Sequence, residues 1–303
     1  MNASEEWSSE QEIPTTSGTL TLRALHDRKA MDAIVGLQET IWGYGAPPAD
    51  YPYPGRCLFE FAESGGLIGG AFYNDLVVGF SAAWLGKDKK LDSYYLHSQL
   101  VGVLEEYRNT GVGYQLKLQQ RAYAKHIKVD LVKWTFDPLK TRNANLNIRK
   151  LGAITRTYKS DYYGQLQSTF NKGLPTDRFW MEWYVNSPRV GVRIEDTGGS
   201  VPNLERVHAN QVSIGDDGFK RMDHYDVDLN DPQLLIEVPE NFEELMGRDF
   251  DLATEWQSGL RVIFTHYLNR GYVVEDLFTT EKDHSRNVFY SLTNRPLGEI
   301  LAT

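Results

Sequence analysis

The spacing of apolar and polar residues predicts alternating helices and strands along the chain. Apolar residues between 31 and 41 recur at helical intervals, and the stretch 66–86 contains two strand-like runs around Asn74-Asp75, a pair suited to a hairpin turn. The runs 93–103 and 130–136 predict two more strands, and a helix that begins near Gly111 and Gly113 lies between them. Strand, helix and strand in this order predict a parallel crossover.

The pattern continues into a second half. Residues 143–150 predict a short helix that stops at Leu151-Gly152, and 153–164 and 178–185 predict strands. Beyond Asn186-Ser187-Pro188, the runs 190–196 and 234–239 predict strands, 251–271 predicts a long helix, and two strands follow. We therefore expect a flexible tail over 1–18, one domain over 19–187 and another over 188–303. The order strand, long helix, strand, strand in this second half is the same as that of residues 93–163, and this leaves an internal duplication open.

Composition and charge narrow the classes of function. The 303 residues include 32 basic and 41 acidic side chains, a net charge of −9, and an acidic chain is a poor partner for nucleic acid or an anionic membrane. The longest apolar run, 76–85, is half of a membrane span, and the first 18 residues contain four Glu and no Lys or Arg. The single cysteine, Cys57, excludes a disulfide framework and a multi-thiolate metal site. We expect a cytoplasmic protein with no metal.

The stretch 101–114 carries the most specific signal. It places Arg108-x-x-Gly111-x-Gly113 between a predicted strand and a predicted helix. A helix N-terminus offers N–H groups without intrahelical partners and the positive end of the helix dipole, and glycine has no Cβ to hold an anion away. The motif predicts anion capture. It fits neither the Rossmann nor the Walker glycine pattern; the alternative is that the glycines only make a sharp turn.

With this motif, residues 20–165 resemble the GNAT acyltransferase superfamily. The resemblance rests on Val101-x-Val103, the glycine motif, the strand 134–138 and the Asn-rich helix that ends at Lys150-Leu151-Gly152. It extends to a two-part subgroup through 96–103, 135–153, 158–164 and 236–245. It implies an α/β fold with tandem GNAT-like mixed sheets flanked by helices, in which the second copy is degenerate and lacks the cofactor loop.

The resemblance also implies a cofactor and its contacts. Acetyl-CoA or another acyl-CoA would bind, and the backbone of Val101 and Val103 would pair with its pantetheine arm. Asn143 or Asn145 would hydrogen-bond the cofactor near the thioester. The pyrophosphate would be held by the backbone amides of six consecutive residues, Arg108, Asn109, Thr110, Gly111, Val112 and Gly113.

The activity that the resemblance implies is N-acyl transfer from CoA by direct attack of an amine. The acyl group would be acetyl or a larger one such as succinyl, and the acceptor a small primary amine, with a free amino acid as one candidate. The protein would act as a monomer or homodimer. Many superfamily members have a tyrosine as general acid where this chain has Ile148, so this role is vacant or filled by another residue. The alternative function is a non-catalytic acyl-CoA-binding sensor or regulatory module that has lost the acid.

Four side chains are candidates for chemistry or substrate contact. His97 is a candidate base because neutral imidazole accepts a proton near pH 7, and its alternative is a hydrogen-bonded structural histidine. Asp161 and Tyr163, on the predicted strand 153–164, are candidate catalytic residues. Tyr163 is a candidate proton donor to the thiolate, and its alternative is packing, the more common role of such a tyrosine. Glu60 is a candidate for the border of the amine pocket, or a solvated helix residue.

Overall fold

The structure is a computed structural model that describes residues 7–16, 18–43, 53–88, 92–164, 173–195, 206–282 and 285–303. Contacts between Cα atoms divide these residues at Trp134. Unit 1 holds the part up to Trp134 together with Gly173, and unit 2 holds the rest. The predicted boundary at 187/188 falls inside unit 2 and stays a prediction.

Unit 1 is a mixed sheet with helices on both faces. Its elements are β1 (Glu10–Thr15), β2 (Gly18–Ala24), α1 (Arg28–Trp42), α2 (Gly55–Glu63), β3 (Leu67–Tyr73), β4 (Leu76–Asp88), β5 (Ser93–Val103), α3 (Val112–His126) and β6 (Leu131–Phe136), whose last two residues belong to unit 2. The strands lie in the order β1-β2-β3-β4-β5-β6. All neighbours are antiparallel except β5 and β6, which pair in parallel.

Strand alternation places two apolar layers in unit 1. Leu100 of β5 packs with α1 and α2, whereas Val101 and Val103 pack with Val112 and Leu116 of α3. Successive strand residues point to opposite faces, so α1 and α2 cover one face and α3 the other. The predicted crossover through α3 is confirmed.

Unit 2 is a second sheet with its own helices. Its elements are α4 (Thr141–Ala144), β7 (Ile154–Lys159), β8 (Arg178–Tyr184), α5 (Pro188–Glu195), β9 (Val207–His208), β10 (Asn210–Ile214), β11 (Lys220–Tyr225), β12 (Gln233–Val238), α6 (Phe242–Arg248), α7 (Phe250–Asn269), β13 (Val273–Lys282), β14 (Ser285–Thr293) and α8 (Leu297–Leu301). Six strands lie in the order β8-β7-β13-β14-β12-β9, and β10 and β11 form a separate hairpin. Phe179, Phe264 and Tyr290 contact one another edge to face in its core.

The two halves share local element order but differ in strand pairing. In unit 1, the strands on either side of α3 are neighbours that pair in parallel. In unit 2, β12 and β13 lie on either side of α7, and β14 lies between them and pairs antiparallel with both. The α/β fold class is confirmed, whereas a second GNAT-like copy stays a prediction.

Three local expectations differ from the structure. Residues 10–15, assigned to a flexible tail, form β1, because they pair with β2 and Ile13 packs on the apolar layer beneath α3. Residues 190–196 were expected to form a strand, but 188–195 form α5, because Pro188 favours a first helical turn and the Ser187 hydroxyl accepts from the Val190 N–H. The strand expected over 153–164 ends at Lys159.

That early strand end puts Asp161 and Tyr163 on a turn. Asp161 has φ of +44°, a left-handed conformation in which Asp is tolerated. Its backbone N–H donates to Asp177 Oδ1 (2.9 Å), and the Arg261 guanidinium binds both oxygens of that carboxylate at 2.9 and 3.0 Å. Asp177 is 1% exposed. One buried carboxylate therefore ties the turn to α7.

Replacing Arg261 with Leu is expected to lower the free energy of unfolding by about 2–4 kcal/mol, because the buried Asp177 carboxylate loses its counter-ion. The matched control is Arg221→Leu, which removes the partner of the exposed Asp217 and is expected to change stability little, because water screens exposed pairs. Equilibrium unfolding in urea measures both changes. Similar losses in the two variants would contradict this account of the turn.

Candidate functional site

The centre of the candidate site is the place where β5 and β6 stop pairing. Their parallel ladder in the described residues consists of two pairs, Leu96 with Val132 and His97 with Lys133. β5 continues to Val103, bonded to β4 along its other edge. From Ser98 onward, β5 therefore has an edge that β6 does not cover. We call this divergence, with Ser98 on β5 and Trp134 on β6 as its first residues, the fork.

The glycine motif follows β5 directly. A 3₁₀ turn, Glu105–Tyr107, leads to Arg108, whose side chain donates to the Val103 carbonyl at 3.4 Å. Asn109 and Gly111 have φ of +65° and +92°, so the chain turns sharply before α3 begins at Val112. The first N–H groups of α3 have no carbonyl one turn earlier within the helix. The sequence signal for a helix start on the glycines is confirmed.

The glycines leave room for a close ligand. A Cβ on Gly111 would meet nothing within 4 Å, and one on Gly113 would meet only Val103 Cγ2, at 3.8 Å. Packing within the protein therefore does not require a glycine at 113. At 111, the positive φ is a conformation that L side chains rarely adopt.

His97 lies on β5 among aromatic rings. Its ring centroid is 5.5 Å from that of Trp84 and 6.2 Å from that of Tyr95, and Trp84 lies 4.4 Å from Phe61 of α2. Nε2 shares a 2.8 Å hydrogen bond with Gln99 Oε1. Burial lowers the pKa of His97, and the positive charge of Lys117 adds to this, against the Gln99 hydrogen bond that raises it. The imidazole is therefore held in its neutral form near pH 7.

Glu60 precedes Phe61 on α2, and its side chain is exposed. The helix thus lies beside the aromatic residues around His97, while the carboxylate points to solvent. A pocket of about 520 Å³ elsewhere in unit 1 is lined by Leu85, Tyr94, Ile127 and neighbouring residues, and no predicted site residue lines it.

The remaining predicted residues belong to unit 2. Asn143 lies in α4, which continues as a π-helical segment over Asn145–Lys150, with Leu151 N–H bonded to Leu146 O at 3.0 Å. Such segments are frequent at functional sites. Ile148 of this segment is fully buried. The helix predicted over 143–150 is present with a wider turn.

Asp161 and Tyr163 use their polar groups within unit 2. The Asp161 carboxylate accepts from Thr176, through its N–H at 3.0 Å and its hydroxyl at 3.3 Å. The Tyr163 hydroxyl shares a 2.9 Å hydrogen bond with the Thr135 hydroxyl, and 41% of Tyr163 is exposed. The bonds of Asp161 shape the turn, whereas Tyr163 keeps exposed surface.

Sequence reasoning missed a buried amine at the fork. Lys117 Nζ donates to Ser98 Oγ at 2.8 Å and lies 3.6 Å from the centre of the Trp134 ring. Lys117 is 4% exposed, and burial lowers its pKa well below the usual lysine value. The sequence did contain one signal: Lys117 lies four residues after Gly113, and residues four apart are neighbours on the surface of a helix.

Comparisons with known proteins add similarities in fold at low identity. No family model and no curated protein matches this chain. The yncA protein of Salmonella typhimurium, solved with its cofactor acetyl-CoA, is 14% identical, with a TM-score of 0.46, over 61% of this chain and 98% of that one. Ribosomal-protein-alanine N-acetyltransferase from Brucella melitensis is 17% identical, with a TM-score of 0.43, and the match covers 53% of this chain and 97% of that one. A GNAT-family acetyltransferase from Streptococcus pneumoniae is 14% identical, with a TM-score of 0.42, and the match covers 54% of this chain and 97% of that one.

Two further features concern membranes and metals. No helix within the described residues is long and apolar enough to cross a bilayer. In the same ranges, no group of three His, Cys, Asp or Glu side chains is placed to hold a metal ion.

The burial of Lys117 leads to a prediction about how the free energy of unfolding depends on pH. Its pKa is lower in the folded than in the unfolded chain, so the unfolded chain binds more protons between the folded pKa and about 10.4. Lys117 therefore destabilises the fold below this window, and the penalty falls as pH rises through it, by at most about 1.4 kcal/mol per pH unit. We expect Lys117→Met to be more stable than the parent at pH 7 and to lose this advantage toward pH 10.

Urea unfolding at several pH values measures the difference between the two proteins. Lys29→Met, which changes an exposed residue at the start of α1, is the control and should follow the parent at each pH. A constant difference between Lys117→Met and the parent from pH 7 to pH 10 would contradict the buried-amine account.

Proposed function

We propose that the chain is an acyl-CoA-dependent N-acyltransferase of the GNAT superfamily. The observation that carries the proposal is the fork: β5 leaves β6 after His97 and runs into a glycine turn that starts α3. In the described residues, one stretch of chain contains a strand edge that β6 does not cover and a helix N-terminus. The strand edge offers main-chain groups to the pantetheine arm of CoA, and the helix N-terminus offers N–H groups to its diphosphate.

The diphosphate binds at the start of α3. The resemblance assigns the diphosphate to the backbone amides from Arg108 to Gly113. The Arg108 N–H already donates to the Glu105 carbonyl at 3.1 Å, so the proposal rests on the amides from Asn109 onward, where the helix dipole favours an anion. Asn109 and Gly111 have positive φ, and turns that contain left-handed residues are one conformation in which successive N–H groups bind anions. Arg108 adds a positive charge. Amides rather than lysines provide the donors, so the net charge of −9 is no obstacle.

The pantetheine arm binds along β5. Val101 and Val103 pair with Ser81 and Gly79 of β4 on one side, while β6 has separated on the other. An extended ligand can add to such an edge as a strand does, through main-chain hydrogen bonds. The cofactor then runs from the glycine turn toward the fork.

The acceptor amine binds near His97. Neutral imidazole is the form that accepts a proton, and burial keeps it neutral near pH 7. The rings of Trp84, Tyr95 and Phe61 give the surroundings an aromatic character, and rings of this kind attract cationic amines. A small primary amine such as an amino acid fits this chemistry, with Glu60 on the neighbouring helix.

The roles that the resemblance gives to residues of unit 2 remain part of the proposal. Asn143 or Asn145 contacts the cofactor near its thioester. The exposed hydroxyl of Tyr163 is better suited to donate a proton than the carboxylate of Asp161, which Thr176 already engages. The acyl group is acetyl or a larger one such as succinyl.

The cofactor site is tested by Gly113→Ala. The added methyl group meets only Val103 within the protein, and alanine favours helix, so we expect normal folding. The same methyl would push a diphosphate away from the amides, and CoA affinity should fall at least tenfold in calorimetric titration. Gly36→Ala places the same change in the exposed middle of α1 and should leave affinity unchanged. Equal affinities in both variants and the parent would refute the placement.

The reaction is tested by thiol release from acetyl-CoA and succinyl-CoA with a panel of primary amines, amino acids included. His97→Gln should lower kcat/KM about 10²–10⁴-fold, the usual contribution of a general base. In the parent, kcat/KM should fall as pH drops through a pKa below 6.5, because a base works deprotonated and that of His97 is lowered. CoA binding without thiol release for any amine would favour an acyl-CoA sensor instead.

A further inference from the structure

The buried amine of Lys117 joins the two strands of the fork where they begin to separate. Ser98 directly follows the last paired residue of β5, and Trp134 directly follows that of β6. Lys117 Nζ contacts both, donating to Ser98 Oγ at 2.8 Å and facing the Trp134 ring at 3.6 Å. All three side chains belong to unit 1, and Ser98 and Trp134 are each 4% exposed.

Charge makes this arrangement unusual. Buried lysines are normally paired with an acid. Within the described part of the chain, no carboxylate forms an ion pair with Lys117; its polar contact is a serine hydroxyl, and an aromatic face lies against it. An anion that arrives at the fork would supply the missing negative charge.

The proposed cofactor would bring such an anion, and the inference rests on that proposal. Val103 and Ser98 are five residues apart on β5, about 17 Å at the rise of an extended strand. This is close to the length of an extended pantetheine arm, so a cofactor whose diphosphate lies at the glycine turn places its sulfur near Ser98. When the acyl group leaves, that sulfur becomes a thiolate.

We propose that the Ser98 hydroxyl, held by Lys117, protonates the departing thiolate of CoA. In the adduct formed by amine attack, the C–S bond breaks and its electron pair goes to sulfur. Sulfur takes the Ser98 O–H proton, and the Ser98 oxygen takes a proton from the Lys117 ammonium. Lys117 is left neutral and regains a proton from solvent. Ser98 is the catalytic residue, and Lys117 acts through it as a positioning and proton-supplying residue.

The assignment agrees with two other observations. Ile148 occupies the position where the superfamily resemblance places a tyrosine acid, and it is fully buried and apolar. The proton must therefore come from another residue. Burial also lowers the pKa of Lys117 well below the usual lysine value, so its ammonium gives up a proton more readily than that of an exposed lysine. In this assignment Ser98 replaces Tyr163 as the donor, because Ser98 and Lys117 lie at the fork, where the sulfur is proposed to lie.

The first test does not depend on turnover. The thiol of CoA bound to the parent protein is titrated by the ultraviolet absorbance of its thiolate. We expect its pKa to be lowered by at least one unit, or about tenfold more thiolate at a given pH than for free CoA. Ser98→Ala and Lys117→Met should both remove most of this shift. Ser93→Ala, an exposed position on the same strand, and Lys29→Met should retain it.

The second test is kinetic. Ser98→Ala and Lys117→Met should lower kcat about 10²–10⁴-fold, while CoA affinity, measured by calorimetry, changes less than about twofold. Ser98→Thr, which keeps the hydroxyl, should recover part of kcat. A merely structural role would lower affinity and stability together and would give no recovery.

Three results would overturn the assignment: an unshifted thiol pKa in the parent, unchanged kcat in both variants, or an acyl group covalently attached to Ser98 in intact-mass spectra after mixing with acyl-CoA. Failure of the proposed function is distinguishable, because a parent protein that binds CoA with a lowered thiol pKa but acylates no amine would refute the transferase and not the thiolate site.

Discussion

The short parallel ladder between β5 and β6 is the constraint on which the candidate site depends. Two residue pairs hold the strands together, and from Ser98 to Val103 the backbone groups of β5 on this edge have no β6 partner within the described residues. Such groups need partners, and in most sheets the next strand supplies them. Here the strand instead turns into the glycine motif and α3, so the open edge and the helix N-terminus belong to one continuous stretch of chain.

The fork also accounts for the position of one of the polar residues that are buried on α3, Lys117. The buried face of α3 includes Lys117, Gln119, Gln120 and Arg121 beside Val112 and Leu116. A helix that only covered a sheet would present an apolar stripe. Lys117 contacts both strands at the point where they separate. Its positive charge therefore lies where the proposed reaction develops a negative charge on sulfur.

Unit 2 shows that the same order of elements along the chain can give a different order of strands in the sheet. β14 lies between β12 and β13, so the strands on either side of α7 have no fork between them. Asp249 caps the N-terminus of α7 and Asp251 lies in its first turn, and both carboxylates would repel a diphosphate there. The described part of unit 2 therefore lacks the features on which the proposed cofactor site of unit 1 rests.

The sequence by itself determined the strands and helices whose patterns are strong, among them β5, α3 and β12, because alternation and helical spacing are local properties. It also located the glycine turn, since a helix start on glycines can be read from neighbouring residues. It missed β1 and α5, whose residues carry weak periodicity and whose conformation depends on pairing with β2 and on a proline at the helix start. Only the tertiary structure decided that β5 and β6 separate after two pairs, that Lys117 reaches Ser98 and Trp134, and that Asp161 lies on a turn held by Asp177. Those contacts join residues from 16 to 36 positions apart. A one-dimensional pattern carries no information about which distant side chains share a buried space.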